Sequence, residues 1–155
     1  MPQPHRFETK LKTAEWEVAF DCLRERLPSF DKFVPTIKAL SADSIYEVVE
    51  ADIGSMVWTH WTSPLSIRPP AEIVRVTCRC NLWKSETIYV ANDFAFFYGR
   101  GPFLTSGKDL LGWLDNYRDH VSNHALPFDG DLIIWATAGV YVFSHERMYA
   151  SVSFD

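Results

Sequence analysis

Two histidines four residues apart, His120 and His124, are the first pair in this sequence whose spacing could do chemistry. On a helix that separation puts both imidazoles on one face, where they can share a metal ion. The run reads His-Val-Ser-Asn-His, so the His-Glu-x-x-His pattern of the metalloproteases is absent. Histidines in a last helical turn also suit the negative end of the helix dipole, which is the simpler role for this pair. Cys78 and Cys80 stand two apart. On a strand they would share one face with Val74, Val76 and Leu82, where free cysteines behave as small buried hydrophobes. A four-ligand site built from Cys78, Cys80, His120 and His124 would need the helix to meet that strand face, and nothing in the spacing demands it. No metal and no cofactor are expected.

Acid and base types recur at His145-Glu146 and at Asp129-Gly130-Asp131. The first pair falls at a strand end, and Asp-Gly is the usual chemistry of a tight turn. General acid–base work requires two such groups to converge on a cleft, which spacing alone does not provide. Nucleophile and phosphate signatures are missing: there is no Gly-x-Ser-x-Gly elbow, Walker loop or Gly-x-Gly-x-x-Gly cradle. Gly99-x-Gly101 runs into Pro102 and lacks the free N–H groups and helix start that hold a phosphate. The balance leans away from an enzyme.

The elements that would position these groups follow from periodicity. Residues 1–12 are polar with two prolines and read as an N-terminal arm, leaving 13–155 as a single domain. Trp16, Phe20, Leu23 and Leu27 form one apolar stripe, predicting a helix from Thr13, its N-cap, to the stop at Pro28. A short second helix is expected within 29–40, which Pro35 either breaks or starts. Ser44-Ile-Tyr-Glu47 has capping-box spacing and Gly54 suits a helix C-terminus, favouring a third helix between them over the strand that its β-branched residues would also suit. Met56 to Trp61 then alternates. The alternation of Val74, Val76, Cys78, Cys80 and Leu82 with Arg75, Thr77, Arg79 and Asn81 predicts a strand. Return strands are expected at 87–91 and 94–98. A helix capped by Thr105 or Ser106 should run to about His124 on a stripe of Leu110, Trp113 or Leu114, Tyr117 and Val121. Three strands complete the chain, at 131–137, 140–145 and 148–154. Blocks of strands joined by short turns favour antiparallel pairing. The fold expected is a two-layer α+β domain whose mostly antiparallel sheet has about six or seven strands. Helices lie at the N-terminus, and one more precedes a three-stranded C-terminal meander.

At 155 residues the chain has the length of one domain and enough apolar content, 47%, to bury a core without a disulfide or metal. Fifteen Lys and Arg against twenty Asp and Glu give a net charge of −5, which argues against nucleic-acid binding and suits a basic partner. An odd count of three cysteines, the absence of an apolar leader near the N-terminus, and no apolar run as long as a membrane span point to a reduced, cytoplasmic compartment with no membrane partner.

Aromatic residues are plentiful, at 15%, with Trp58 and Trp61 in one group and Phe94, Phe96, Phe97 and Tyr98 in another. Most belong in a core, and a surplus ring can anchor an interface. In size, charge and compartment the chain is similar to the immunity proteins that bacteria pair with secreted toxins, although no motif carries the likeness. The function expected is therefore non-catalytic: binding, and so neutralising or escorting, a partner protein. Its surface would be carried by Glu47, Glu50, Asp52, Trp58, Trp61, Asp115 and Asp119. The second reading is a small-molecule pocket or small enzyme walled by Trp58, Phe96, Tyr98, Trp113 and Trp135, with His60, His120 or His145 as acid or base. A strand edge at Tyr149 to Phe154 leaves a homodimer open.

Overall fold

The computed structural model describes residues 12–92, 101–120, 127, 128 and 130–154. Among them the order is α1 (Trp16–Arg24), α2 (Phe30–Phe33), a 3₁₀ turn (Ile37–Ala39), α3 (Ala42–Asp52), β1 (Thr59–His60), a second 3₁₀ turn (Leu65–Ile67) and α4 (Pro70–Thr77). A third 3₁₀ turn (Leu82–Lys84) leads to β2 (Ile88–Asn92), β3 (Phe103–Thr105), α5 (Leu110–His120), β4 (Leu132–Ala136), β5 (Gly139–Phe143) and β6 (Met148–Ser153). The six strands make one antiparallel sheet in the order β1-β6-β5-β4-β2-β3. The fold is α+β, as the blocks of strands and helices indicate.

Alternation along β4 sends successive side chains to opposite faces, and every one of them is buried. Ile133 and Trp135, with Ala91, Val140, Val142 and Ala150, face α1, α2 and α3. These helices and the sheet form the expected two layers. Leu132 and Ile134, with Ile88, Val90, Tyr141 and Phe143, face the opposite way onto Ile73 and Val74 of α4 and Leu110, Leu114 and Tyr117 of α5. Helices therefore lie on both faces of the central strands, which explains why β4 and β5 read as nearly continuous apolar runs.

The segment 74–82 is the main departure from expectation. It forms the end of α4, a bend and a 3₁₀ turn rather than a strand. The buried set is Ala71, Ile73, Val74 and Thr77, a helical face, while Val76, which a strand would have buried with Val74, is 46% exposed. Pro70 in the first turn, whose ring presets the helical φ and whose missing N–H is not needed there, starts the helix. Tertiary packing against α5 then outweighs the weak β preference of Ile73, Val74, Val76 and Thr77.

Smaller departures concern caps. Thr13 does not cap α1; it bridges Phe103 of β3 beside a Leu104 N–H bond to the Lys12 carbonyl. The capping box of α3 lies three residues earlier than expected, between Ser41 and Ser44. The α1 stripe stands, with Phe20, Leu23 and Leu27 buried and Trp16 partly so. Ser106 accepts from the Asp109 N–H just before α5. Phe94 to Tyr98, Val121 and His124 lie outside the described residues.

Candidate functional site

Three carboxylates that look like surface charge in the sequence turn out to tie helices to the rest of the chain. Asp115 on α5 accepts from the Ala71 N–H in the first turn of α4 at 3.0 Å. Pro69, at the N-cap, has no side-chain acceptor for that N–H, so Asp115 supplies the cap from 44 residues away. Asp52 at the end of α3 accepts from the Ser29 N–H at 2.7 Å, at the start of α2. Asp131, before β4, accepts at one oxygen from the Ala42 N–H of α3 and at the other from both the N–H and the Nδ1 of His145, each at 2.9 Å. Asp115→Ala should destabilise the protein by about 0.5–2 kcal/mol, the usual cost of a lost cap, read as a lower urea midpoint with an unchanged slope.

The Asp131 hydrogen bond, and then its charge, hold the His145 pKa above its ordinary value. The ring is mostly exposed, so this is a local effect. A folded pKa above the unfolded one means that the His145–Asp131 contribution is fully present below the unfolded pKa and is lost as pH rises through the folded one. Asp131→Asn should therefore bring the His145 midpoint back down, which an NMR titration of the imidazole reads directly.

Glu47 and Glu50 lie on the exposed side of α3. Tyr46, one turn before Glu50 in the same stripe, stacks on Trp58 with ring centroids 4.8 Å apart and planes 8° from parallel. Both rings are half-buried, packed at the margin of the core on the α1–α3 side of the sheet. Desolvation, and next a hydrogen bond to Glu50, push the Tyr46 pKa up. The continuation of the chain exposes two large apolar side chains, Ile53 and Val57. Elsewhere on this side, Arg24 is shared by Glu17, Asp21 and Asp31 at 2.8, 2.9 and 3.0 Å. Glu47 and Glu50 have no basic partner among the described residues. The result is an aromatic pair on a helix whose exposed glutamates lack a basic partner among the described residues, followed in the chain by two exposed aliphatic groups.

The structure does not gather all the expected site residues. Glu50 and Trp58 are linked through Tyr46, Glu47 is exposed on the same helix, and Asp52, at the end of that helix, is turned to α2. Trp61 packs on the other face of the sheet with Leu65 and Tyr149, and Asp115 is on that side also. The Asp119 and His120 side chains lie outside the described residues. Tyr46 is the residue that sequence reasoning missed. It lies twelve positions from Trp58, and the signal available was only that it shares a helical stripe with Glu50.

The rings expected around a pocket are divided as well. Trp135 is fully buried on the α1–α3 side, where its Nε1 donates to the Ala19 carbonyl at 2.9 Å. Trp113 is on α5 across the sheet and borders a shallow, open cleft with Lys108, Asp109, Gly112 and Asn116. Among the described residues no group of three or more metal-ligating side chains forms, and no helix is long and apolar enough to cross a membrane. No protein family, curated protein or solved structure matches the chain.

Proposed function

We propose that this protein is a non-catalytic, cytoplasmic binding protein that neutralises or escorts a basic partner protein, in the manner of an immunity protein. The observation that carries the proposal is the Tyr46–Trp58 stack, half-exposed at the margin of the core on the helix that also exposes Glu47 and Glu50. Stacked rings offer a large contact area with little side-chain entropy left to lose, and such rings are the usual anchors of an interface. Carboxylates without a basic partner of their own steer a basic protein into place and suppress acidic ones. Exposed Ile53 and Val57 extend the apolar part of the same surface. Asp52 and Asp115 serve this function indirectly, by fixing the helices that carry the surface or brace the sheet.

The charges make a testable claim about rate. Reversing both, in a Glu47→Lys, Glu50→Lys variant, should slow association with the partner about tenfold at low salt and leave dissociation nearly unchanged. Surface plasmon resonance over a salt series reads both constants. Equal association rates for the variant and the parent protein would remove this face from the interface.

A further inference from the structure

Cys78 and Cys80 follow the last turn of α4, in a stretch that belongs to neither a helix nor a strand. That placement decides what their sulfurs can do. In an extended strand, residues two apart are separated by roughly 6.6 Å, too far for side chains on one face to bond. Here the chain bends, and the two Sγ atoms are 3.4 Å apart in hydrogen-bond contact. The bend is held from several directions. The Cys78 N–H closes the last bond of α4 to the Val74 carbonyl at 2.8 Å, and the Leu82 N–H reaches back to the Cys80 carbonyl at 3.1 Å. The Arg79 N–H is bound by the Ser151 hydroxyl of β6 at 2.8 Å.

Space beside the pair is reserved by a glycine. A Cβ at Gly139, the first residue of β5, would lie 2.7 Å from the Cys80 Cβ and 3.2 Å from its Sγ, so the strand backbone is pressed against this thiol. The pair is buried but not sealed, Cys78 being 8% exposed and Cys80 2%. Cys22, half-buried on α1, belongs to the margin of the opposite core cluster. The two neighbouring thiols also differ. Either sulfur can donate across their contact, and Cys78 Sγ also reaches the Cys80 carbonyl at 3.5 Å; the contact between the thiols lowers the Cys78 pKa and raises that of Cys80. Burial alone pushes a thiol up, as at Cys22, where it does so with help from Glu25 and the pKa is about 11.

We propose that Cys78 and Cys80 form an oxidation site at which a hydroperoxide converts the dithiol to an intramolecular disulfide. The Cys78 sulfur, as thiolate, attacks one peroxide oxygen. The O–O bond breaks, the leaving oxygen takes a proton and departs as water or an alcohol, and Cys78 becomes a sulfenic acid. The Cys80 sulfur then attacks the Cys78 sulfur, the S–O bond breaks, and the hydroxyl leaves as water with the Cys80 proton. Two thiols are oxidised to one disulfide by a two-electron reduction of one peroxide. Closing the bond draws the sulfurs to about 2.05 Å, a movement of little more than an ångström that a bend absorbs more easily than a strand or helix would.

The sequence supplies its own assay, because trypsin cuts after Arg75, Arg79 and Lys84 and so separates Cys78 from Cys80. The folded wild-type protein is treated with a small excess of hydrogen peroxide, quenched, alkylated in denaturant and digested. The expected result is that residues 76–79 and 80–84 remain joined as one species with neither thiol alkylated, and that reduction releases both. The Cys22 peptide should lose alkylation at least about tenfold more slowly. Recovery of both peptides alkylated would overturn the proposal. So would oxidation of Cys78 beyond the sulfenic acid without a link, or a link between two protein molecules on a non-reducing gel. No variant is needed, so a folding defect cannot imitate either outcome.

Discussion

Replacing Trp135 with alanine should lower the unfolding free energy by about 3–5 kcal/mol, the usual cost of emptying a site the size of a large ring. Trp135 is the largest of the fully buried side chains. It projects from β4 between the sheet and α1, where its indole N–H donates to the Ala19 carbonyl at 2.9 Å and its ring meets Tyr89 at a centroid distance of 5.7 Å. The loss would be a large share of the stability of a domain whose total is about 5–15 kcal/mol. Trp135→Phe refills much of the cavity but removes the donor, and should cost less. Urea unfolding followed by circular dichroism measures both. A Trp135→Ala protein as stable as the parent would mean that α1 does not pack on the sheet as described.

Trp58→Ala should have its main effect on binding. Truncating an interface anchor of this kind costs about 2 kcal/mol or more, which is roughly thirtyfold in Kd. The loss should appear as faster dissociation, because packing at the centre of an interface governs how long the complex lasts. Charge reversal at Glu47 and Glu50 should act on the other rate constant. The pair of variants thus separates two physical contributions of one surface. Trp58 also packs on the core margin, so a modest loss of stability should accompany the change, and a circular dichroism melt of the free variant measures it. Unchanged dissociation in a folded Trp58→Ala protein would move the anchor elsewhere.

The legible parts of the fold were those in which local pattern and tertiary packing agree. Phe20, Leu23 and Leu27 repeat at helical spacing and are all buried. Met148 to Phe154 alternates, and Ala150 and Val152 do pack on one face while Tyr149 packs on the other. Misreading came where the two disagree. Val74, Val76 and Cys78 alternate like a strand, yet Val76 faces outward on a helix. Pro70 and Glu72 carried the contrary signal in the first turn of α4. The α3 box was misplaced because Ser44 and Glu47 have the right spacing, whereas the true partners are two serines, Ser41 and Ser44.

Long-range placement was not legible at all. Asp115, Asp52 and Asp131 cap helices at separations of 44, 23 and 89 residues, and no local pattern distinguishes such a carboxylate from one facing water. Of the expected surface residues, Glu47 and Glu50 were identifiable because they project from the polar side of an amphipathic helix. The stack of Tyr46 on Trp58 depends on how the chain returns from α3 to β1, which periodicity does not encode.

The central claim is that the α3 surface binds a basic protein, and one paired experiment tests it. The tagged wild-type protein and the Glu47→Lys, Glu50→Lys variant are used side by side to capture partners from the native lysate at low salt, with mass spectrometry as the readout. The account predicts a single basic protein recovered in near-stoichiometric amount with the wild type and depleted about tenfold with the variant. A wild-type protein that returns alone, or a partner captured equally by both, would contradict it.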